Sequence, residues 1–184
     1  MIGIFIGSFN PPTLAHLEIC LKLQKDFKQI VFVPVNSREK YLVRMQDRIN
    51  MLNIYTHEYS FLKVDSIMKN YSYFNERILF MLKKKYGDIK IILGSDILEK
   101  MDYFDNLDSL LKNYSFIVIT RNLLIPSKII KEKYSLYQDN FTILEYHRNI
   151  SSSKVRYNLQ NNASCDNLLH PKIEEYIEVH KLYV

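Results

Sequence analysis

Residues 2–16 read IGIFIGSFNPPTLAH, and this stretch sets the architecture that the rest of the sequence continues. The apolar run 2–6 predicts a buried strand, Gly7 predicts a turn, and the segment from Thr13 predicts a helix. The two prolines between them cannot extend the strand and suit the first turn of a helix. A helix that begins here directs unpaired N–H groups and its positive dipole end toward the turn. The stretch therefore predicts a site for the phosphate chain of a nucleotide.

Thr13 and His16 fall in the first turn of this predicted helix. Side chains three residues apart share one helix face, and both point toward the helix N-terminus. Gly7 has no Cβ, which allows the backbone to approach a ligand closely. We therefore expect Thr13 and His16 to lie beside the bound phosphates.

Strands and helices alternate along the chain. Apolar runs predict buried strands at 2–6, 30–35, 89–93 and 115–119, and weaker signals predict strands at 61–64 and 141–144. Helical periodicity predicts helices over 14–27, 45–57, 72–86 and 126–137, and helical structure from residue 151 onward. This order predicts an α/β fold with a Rossmann-like, doubly wound, mostly parallel sheet and a helical C-terminal appendage.

Length and composition favour a single enzyme domain. We expect one domain over 1–184, with a core at about 1–149 and the helical part at about 150–184. The two cysteines, Cys20 and Cys165, are too far apart in sequence to suggest a disulfide framework or a metal site. No secretory signal is visible and no apolar run approaches the ~20 residues of a membrane span, so we expect a cytoplasmic protein without membrane contact.

The charge balance favours small anionic ligands over nucleic acid. The formal net charge is +5, which is compatible with anionic ligands. The chain has no basic stripe with interleaved aromatics, so we expect no nucleic-acid partner. Isologous homodimers are common among enzymes of this size, and the oligomeric state stays open.

Two separated motifs resemble the signature of the nucleotidyltransferase superfamily. The first is GSFNP at 7–11 with T-x-x-H at 13–16, which is similar to G-[ST]-F-[DN]-P with [HT]-x-G-H. The second is ISSSKVR at 150–156, which is similar to I-S-S-[ST]-x-[IV]-R. Ala15 departs from the first motif, because it replaces the glycine before the histidine. The resemblance implies an enzyme that transfers a nucleotidyl group.

The resemblance also implies an ATP site built from both motifs. The implied catalytic residues are Thr13, His16 and Arg156. The implied ATP-binding residues are Gly7, Ser8, Phe9, Thr13, His16, Gly94, Asp96, Ile150, Ser152, Ser153 and Arg156. Asp96 would accept hydrogen bonds from the adenosine ribose. Mg²⁺ would bind with the ATP phosphates, and no metal site made of protein side chains is implied.

Further landmarks are similar to those of the nicotinate-nucleotide adenylyltransferases. They are R-x-x-M-L at 48–52, Ser-Tyr at 72–73, Gly-Ser-Asp at 94–96, the segment 104–111 and the ending over 173–183. This similarity implies transfer of AMP from ATP to the phosphate of nicotinate mononucleotide, which yields nicotinate adenine dinucleotide and pyrophosphate. The implied acceptor-binding residues are Lys40, Arg48, Ser72, Tyr73, Phe104 and Arg121.

Departures from the family pattern leave alternatives open. Phe104 stands where the bacterial enzymes usually have a tryptophan, which leaves the acceptor open. The GSF at 7–9 with Thr13 and the triple serine at 151–153 also resembles the phosphopantetheine adenylyltransferases, so the acceptor could be another phosphorylated molecule such as phosphopantetheine. Ala15 keeps open a nucleotide-binding paralogue without turnover. Arg48 could instead form a surface ion pair with Asp47 or Glu58. Purely structural roles also stay open for Tyr73, Gly94, Phe104 and Arg121.

Overall fold

Six parallel strands form one sheet, in the order β3-β2-β1-β4-β5-β6. The strands are β1 (Ile2–Gly7), β2 (Gln29–Pro34), β3 (Leu62–Val64), β4 (Ile89–Gly94), β5 (Ser115–Ile119) and β6 (Phe141–Leu144). The computed structural model describes residues 1–36, 42–98, 100–120 and 125–183, leaving out the side chain of Tyr103. All six predicted strands are confirmed, as is the parallel, doubly wound arrangement.

Helices connect the strands and continue beyond the sheet. They are α1 (Leu14–Leu23), α2 (Met45–Glu58), α3 (Glu76–Tyr86), α4 (Ser95–Leu98), α5 (Leu107–Asn113), α6 (Pro126–Lys133), α7 (Ser152–Gln160) and α8 (Pro171–Val179). Short 3₁₀ helices occur at Ile67–Asn70, Met101–Tyr103 and Ser135–Asn140. Within the residues described, no helix has the length and apolar character needed to cross a membrane.

The sheet separates two hydrophobic cores, because alternate side chains of a strand point to opposite faces. On one face, Phe5 and Phe32 pack with residues of α1, α2 and α8. On the other face, Ile4 and Val31 pack with residues of α3, α5 and α6. The central strands are thus covered on both faces, which explains their continuous apolar sequences.

The chain builds the sheet outward in both directions from β1. β2 and β3 lie on one side of β1, and β4, β5 and β6 lie on the other. A crevice forms at the carboxyl ends of parallel strands where the strand order reverses, which here is between β1 and β4. β1 ends at Gly7 and β4 ends at Gly94, so the fold places both glycines at this crevice.

The helix predicted over 72–86 is wrong at its start. α3 begins at Glu76 because Asn75 caps it, with its side-chain oxygen accepting a hydrogen bond from the N–H of Ile78 at 3.2 Å. An asparagine at this position satisfies one of the unpaired donors of the first turn and ends the preceding loop. Residues 72–74 therefore stay outside the helix.

Two other predicted helices are shorter than expected. The helix predicted over 14–27 ends at Leu23, and a turn follows. The one predicted over 126–137 divides into α6 and a 3₁₀ helix. Tyr134 lies at this division, buried, with its hydroxyl donating to the carboxylate of Asp102 at 2.9 Å. The backbone of Tyr134 is no longer helical, with φ at −127° and ψ at 31°, so the helix does not continue.

The C-terminal helices pack against the same core as β1. Val155 of α7 and both Ile173 and Ile177 of α8 are buried in one cluster with Phe5 and Phe9. The backbone N–H of Leu14, at the start of α1, also donates to the carbonyl of Leu168 at 2.9 Å. This packing brings the second sequence motif to the first.

Candidate active site

A cavity of about 470 Å³ lies at the carboxyl ends of β1 and β4. Its lining combines residues from both motifs, from the end of β4 and from the segments around residues 73 and 104. The predicted site residues that line it are Gly7, Ser8, Phe9, His16, Tyr73, Gly94, Asp96, Phe104, Ser152, Ser153 and Arg156. Segments that are far apart in the chain thus converge on one cavity.

Thr13 fixes the imidazole of His16. The backbone N–H of Thr13 donates to Nδ1 of His16 at 2.9 Å, and the Thr13 hydroxyl lies 2.9 Å from the same nitrogen. Because an N–H can only donate, Nδ1 is the acceptor, and the proton of the neutral imidazole is on Nε2. His16 is buried and lines the cavity, so the ring presents a hydrogen-bond donor there.

The glycine turn is shaped by the ring of Phe9. Phe9 is buried with φ at +48°, a left-handed conformation that is uncommon for a bulky residue. Its ring packs edge-on against Phe5 and His16, at centroid distances of 5.5 and 5.1 Å. A Cβ on Gly7 would lie 3.1 Å from the tip of this ring. A side chain at position 7 would therefore press against the Phe9 ring, and the predicted approach of Gly7 to a ligand stays a prediction.

We expect Gly7→Ala to lower the free energy of unfolding by about 1–3 kcal/mol, as overpacking of a filled core does. The added methyl group would displace the Phe9 ring, and turnover would fall with it because that ring supports His16. Urea unfolding and a rate assay measure both effects. In a Phe9→Leu background, Gly7→Ala should lower the free energy of unfolding by less, because the ring atom nearest to the added methyl group is gone. Equal costs in the two backgrounds would contradict this explanation.

The two motifs meet through hydrogen bonds to main-chain carbonyls. Arg156 Nη1 donates to the carbonyl of Asn10 at 2.6 Å, and Ser152 Oγ donates to the carbonyl of Pro11 at 2.8 Å. Arg156 Nη2 also lies 3.3 Å from Ser153 Oγ. Ser151 caps α7, its hydroxyl accepting from the N–H of residue 154. The N-terminus of a nine-residue helix therefore opens onto the cavity beside a guanidinium group.

Asp96 carries a buried oxygen that the described protein groups do not satisfy. Within the described ranges, its Oδ1 has no hydrogen-bond partner. A buried acceptor without a donor costs free energy, and such a group in a native protein calls for an explanation. Asp96 lines the cavity two residues after Gly94, which ends β4.

Arg48 lies behind the site and is fully buried. Its Nη1 donates to the carbonyls of Ser8 and Val35, both at 2.7 Å, and its Nε donates to the carbonyl of Val43 at 3.2 Å. Nη2 donates to the side-chain oxygen of Asn36 at 3.3 Å. The guanidinium thus connects the ends of β1 and β2 with the segment that leads into α2.

Asp47 and Glu58, the two carboxylates considered above as ion-pair partners of Arg48, bond to other residues. Asp47 accepts from Arg44 Nε at 3.0 Å, and Glu58 lies 2.6 Å from Lys172 Nζ and 3.1 Å from His170 Nε2. The lysine and histidine hold the pKa of Glu58 below its usual value, the lysine hydrogen bond being the largest cause. The predicted surface pairing of Arg48 is not the arrangement described.

Only some of the predicted acceptor-binding residues belong to the described lining of the cavity. Tyr73 lines it although 65% of its side chain is exposed, and Phe104 lines it half-buried. Ser72 is exposed and does not belong to the described lining. The predicted contacts Lys40 and Arg121 lie outside the described residues.

Two predicted ATP contacts lie behind the described cavity lining. Thr13 is fully buried under His16, and Ile150 packs half-buried against the core cluster of β1. Motif order alone does not separate such supporting residues from those that face a ligand. Conversely, the predicted site residues left out other residues of the described lining, among them Asn36, Phe74, Ile97, Met101 and Ser151. Phe74, Ile97 and Met101 have no polar group, whereas Ser151 lies in the second motif and could have been included.

Cys20 is a buried core residue of α1. Burial raises the pKa of its thiol, which keeps it protonated and inert as a nucleophile. Over the ranges that the structure covers, no cluster of three or more His, Cys, Asp or Glu side chains could hold a metal ion.

Comparison with known proteins gives a consistent result over the whole chain. Residues 4–158 match the family model described as cytidylyltransferase-like. A protein of Acholeplasma laidlawii named "Probable nicotinate-nucleotide adenylyltransferase" is 29% identical over 189 residues, covering 100% of this chain and 97% of that protein. A protein of Bacillus cereus (strain G9842) with the same name is 26% identical over 192 residues, covering 99% of this chain and 97% of that protein.

The architecture is also similar to that of solved structures. Plasmodium falciparum nicotinic acid mononucleotide adenylyltransferase complexed with NaAD gives a TM-score of 0.81 at 23% identity, covering 99% of this chain and 96% of that chain. The same enzyme complexed with APC gives a TM-score of 0.80 at 22% identity, with 99% and 96% coverage. At such identities the similarity shows a shared fold.

The family model spans most of the chain, and it includes both motifs and the crevice that they form. The resemblance inferred from the sequence is therefore confirmed at the level of the family. The chain belongs to the cytidylyltransferase-like family of nucleotidyltransferases.

Proposed function

We propose that this enzyme transfers AMP from ATP to the phosphate of nicotinate mononucleotide and releases pyrophosphate. The observation that carries the proposal is the junction of the two motifs, in which Arg156 and Ser152 bond the carbonyls of Asn10 and Pro11 beside His16. The junction brings both motifs to one cavity, which supports the binding of a triphosphate there. The names of the curated relatives support nicotinate mononucleotide as the acceptor.

The reaction is an in-line displacement at the α-phosphorus of ATP. An oxygen of the acceptor phosphate forms a bond to this phosphorus while the bond to the α,β-bridging oxygen breaks, and its electron pair leaves with pyrophosphate. The acceptor phosphate is already anionic near neutral pH, so the step needs no strong general base. Catalysis then consists of aligning two polyanions and stabilising the charge that develops on the leaving phosphates.

His16 would act at the α- and β-phosphates. Its Nδ1 accepts from Thr13, so Nε2 carries the proton of the neutral ring and would donate a hydrogen bond to a phosphate oxygen. The ring is held by Thr13 on one side and by Phe5 and Phe9 on the other. A donor fixed in this way needs no reorganisation as charge develops, which is the condition for electrostatic catalysis.

The start of α7 would bind the β- and γ-phosphates. The Ser153 hydroxyl and the first backbone N–H groups of the helix are donors, and Arg156 adds a positive charge. The one hydroxyl proton of Ser152 is donated to the carbonyl of Pro11, so Ser152 would contribute through its backbone N–H. These groups match phosphate oxygens and are unsuited to a cation. Mg²⁺ would therefore enter as the ATP complex, held by phosphate oxygens and water, and would neutralise charge on the leaving pyrophosphate.

The proposed reaction is tested by pyrophosphate release from Mg-ATP with separate acceptors. Nicotinate mononucleotide, nicotinamide mononucleotide and phosphopantetheine would be compared at equal concentrations. We expect the highest kcat/KM with nicotinate mononucleotide. Preference for phosphopantetheine would assign a different acceptor to the same phosphate site. Retained ATP binding with no turnover on any acceptor would indicate a paralogue without this activity.

Asp96→Ala should raise the KM for ATP by about 10- to 100-fold, which is the loss of affinity expected when one hydrogen bond to a charged group is removed. The buried Oδ1 would accept from a ribose hydroxyl of the adenosine, which supplies the donor that the described protein groups do not. Initial rates over a range of ATP concentrations measure the effect. The Tm of the variant without ATP should not be lower than that of wild type, because the substitution removes a buried oxygen that has no donor among the described protein groups. An unchanged KM for ATP would contradict the ribose contact.

A further inference from the structure

We propose that Tyr183 is a positioning residue for Arg156, acting through Asn10. The proposal rests on the proposed phosphate-binding role of Arg156. It is carried by a continuous chain of hydrogen bonds that joins the C-terminal segment, the first motif and the second motif. The chain runs from the Tyr183 hydroxyl to the Asn10 side chain, and from the Asn10 carbonyl to the Arg156 guanidinium.

Asn10 is fully buried at the centre of this chain. Its side-chain Oδ1 accepts from the Tyr183 hydroxyl at 2.9 Å and from the backbone N–H of Val43 at 3.2 Å. Its main-chain carbonyl accepts from Arg156 Nη1 at 2.6 Å. Two donors on one side-chain oxygen restrict the side-chain rotation of Asn10, and thereby the orientation of its peptide groups.

The C-terminal segment adopts an uncommon backbone to bring the Tyr183 ring inward. Lys181 and Tyr183 have φ values of +49° and +68°, in the left-handed region that non-glycine residues rarely occupy. The segment turns back on α8, where the N–H of Leu182 donates to the carbonyl of Ile177 at 3.0 Å. The ring of Tyr183 is then buried in the core cluster of β1. Burial of the ring offsets this backbone cost, and the hydroxyl is left directed at Asn10.

The orientation of Arg156 depends on the carbonyl that Asn10 presents. The guanidinium is a planar group with donors in a fixed geometry, so a bond to Asn10 through Nη1 and proximity of Nη2 to Ser153 together define its plane. A shift of Asn10 would turn this plane away from the phosphates without removing the charge. Loss of the Tyr183 hydroxyl should therefore affect the transition state more than the binding of ATP.

Tyr183→Phe tests the role while keeping the buried ring. We expect kcat to fall about 3- to 10-fold, the effect of one neutral hydrogen bond, with the KM for ATP unchanged within twofold. Tyr157→Phe is the matched control, because it removes a hydroxyl from an exposed tyrosine on the same helix as Arg156. The control should match wild type. An unchanged kcat in Tyr183→Phe would overturn the proposal.

A double-mutant cycle separates positioning from general loosening of the fold. In an Arg156→Ala background, Tyr183→Phe should cause no further loss of kcat, because the group that it positions is gone. An equal loss in both backgrounds would overturn the positioning role and leave the function of Arg156 intact. If Arg156→Ala alone left turnover unchanged, the proposed phosphate role would fail instead. The two failures are therefore distinguishable.

Discussion

His16→Ala should lower kcat by about 10²- to 10³-fold, which is the cost of removing one preorganised donor from developing charge. Nε2 of His16 is the donor that we assign to the α- and β-phosphates, and Thr13 holds it in place. Because the interaction strengthens in the transition state, ATP binding should change far less than turnover. Steady-state pyrophosphate release and equilibrium binding of ATP measure the two quantities.

Two variants separate the hydrogen bond from the packing of the ring. His16→Phe keeps an aromatic ring against Phe5 and Phe9 and removes the donor, so it should lose turnover as His16→Ala does. His57→Ala removes an exposed histidine at the end of α2 and should behave as wild type. Turnover retained in His16→Phe would show that the ring acts through packing, and retained turnover in His16→Ala would refute the role altogether.

Arg156→Ala is expected to lower kcat/KM for ATP by about 10²-fold, since the guanidinium supplies a charge-assisted bond to the leaving phosphates. Its loss also removes the bond that joins α7 to the carbonyl of Asn10. Arg156→Lys should recover part of the loss, because lysine restores the charge but not the planar geometry. Initial-rate kinetics at fixed Mg²⁺ would show the order wild type, lysine variant, alanine variant.

Lys154→Ala provides the control for charge alone. Lys154 is exposed in the first turn of the same helix, so its removal changes the net charge near the site as much as Arg156→Ala does. We expect kcat/KM within about twofold of wild type, because an exposed charge is screened by solvent. Equal losses in the two alanine variants would mean that the general electrostatic field, rather than the guanidinium contact, supports the reaction.

The part of the cavity that the two motifs line could be predicted from the sequence because its residues belong to short motifs at strand and helix ends. Gly7 and Asp96 each follow a buried apolar run closely, and the parallel sheet brings those ends together. His16 lies in the first turn of the helix that comes after the first of these runs. The start of α7 was predictable for the same reason, since its serines lie in the second motif. Local sequence and topology were sufficient here.

The surroundings of the predicted acceptor-binding residues were harder to predict because they depend on tertiary contacts. The apolar periodicity of 72–86 favoured a continuous helix, but the capping bond of Asn75 ends the loop after Phe74. Arg48 shows the same limit, because its partners include carbonyls from three separate segments, which no local pattern encodes. Charged residues are seldom fully buried, so a surface role was the natural alternative for it.

The buried guanidinium of Arg48 also determines the polarity of the loop above it. In a trans peptide group the C=O and the following N–H point in opposite directions. The carbonyls of Ser8 and Val35 both point at Arg48, so the amides of Phe9 and Asn36 are turned the other way. Arg48 is enclosed by protein, whereas all four of these residues line the cavity. The Arg48 guanidinium is fully buried, yet it orients these two peptide groups so that their N–H dipoles face away from it. Peptide N–H groups oriented in this way favour an anion on the outer side of the loop.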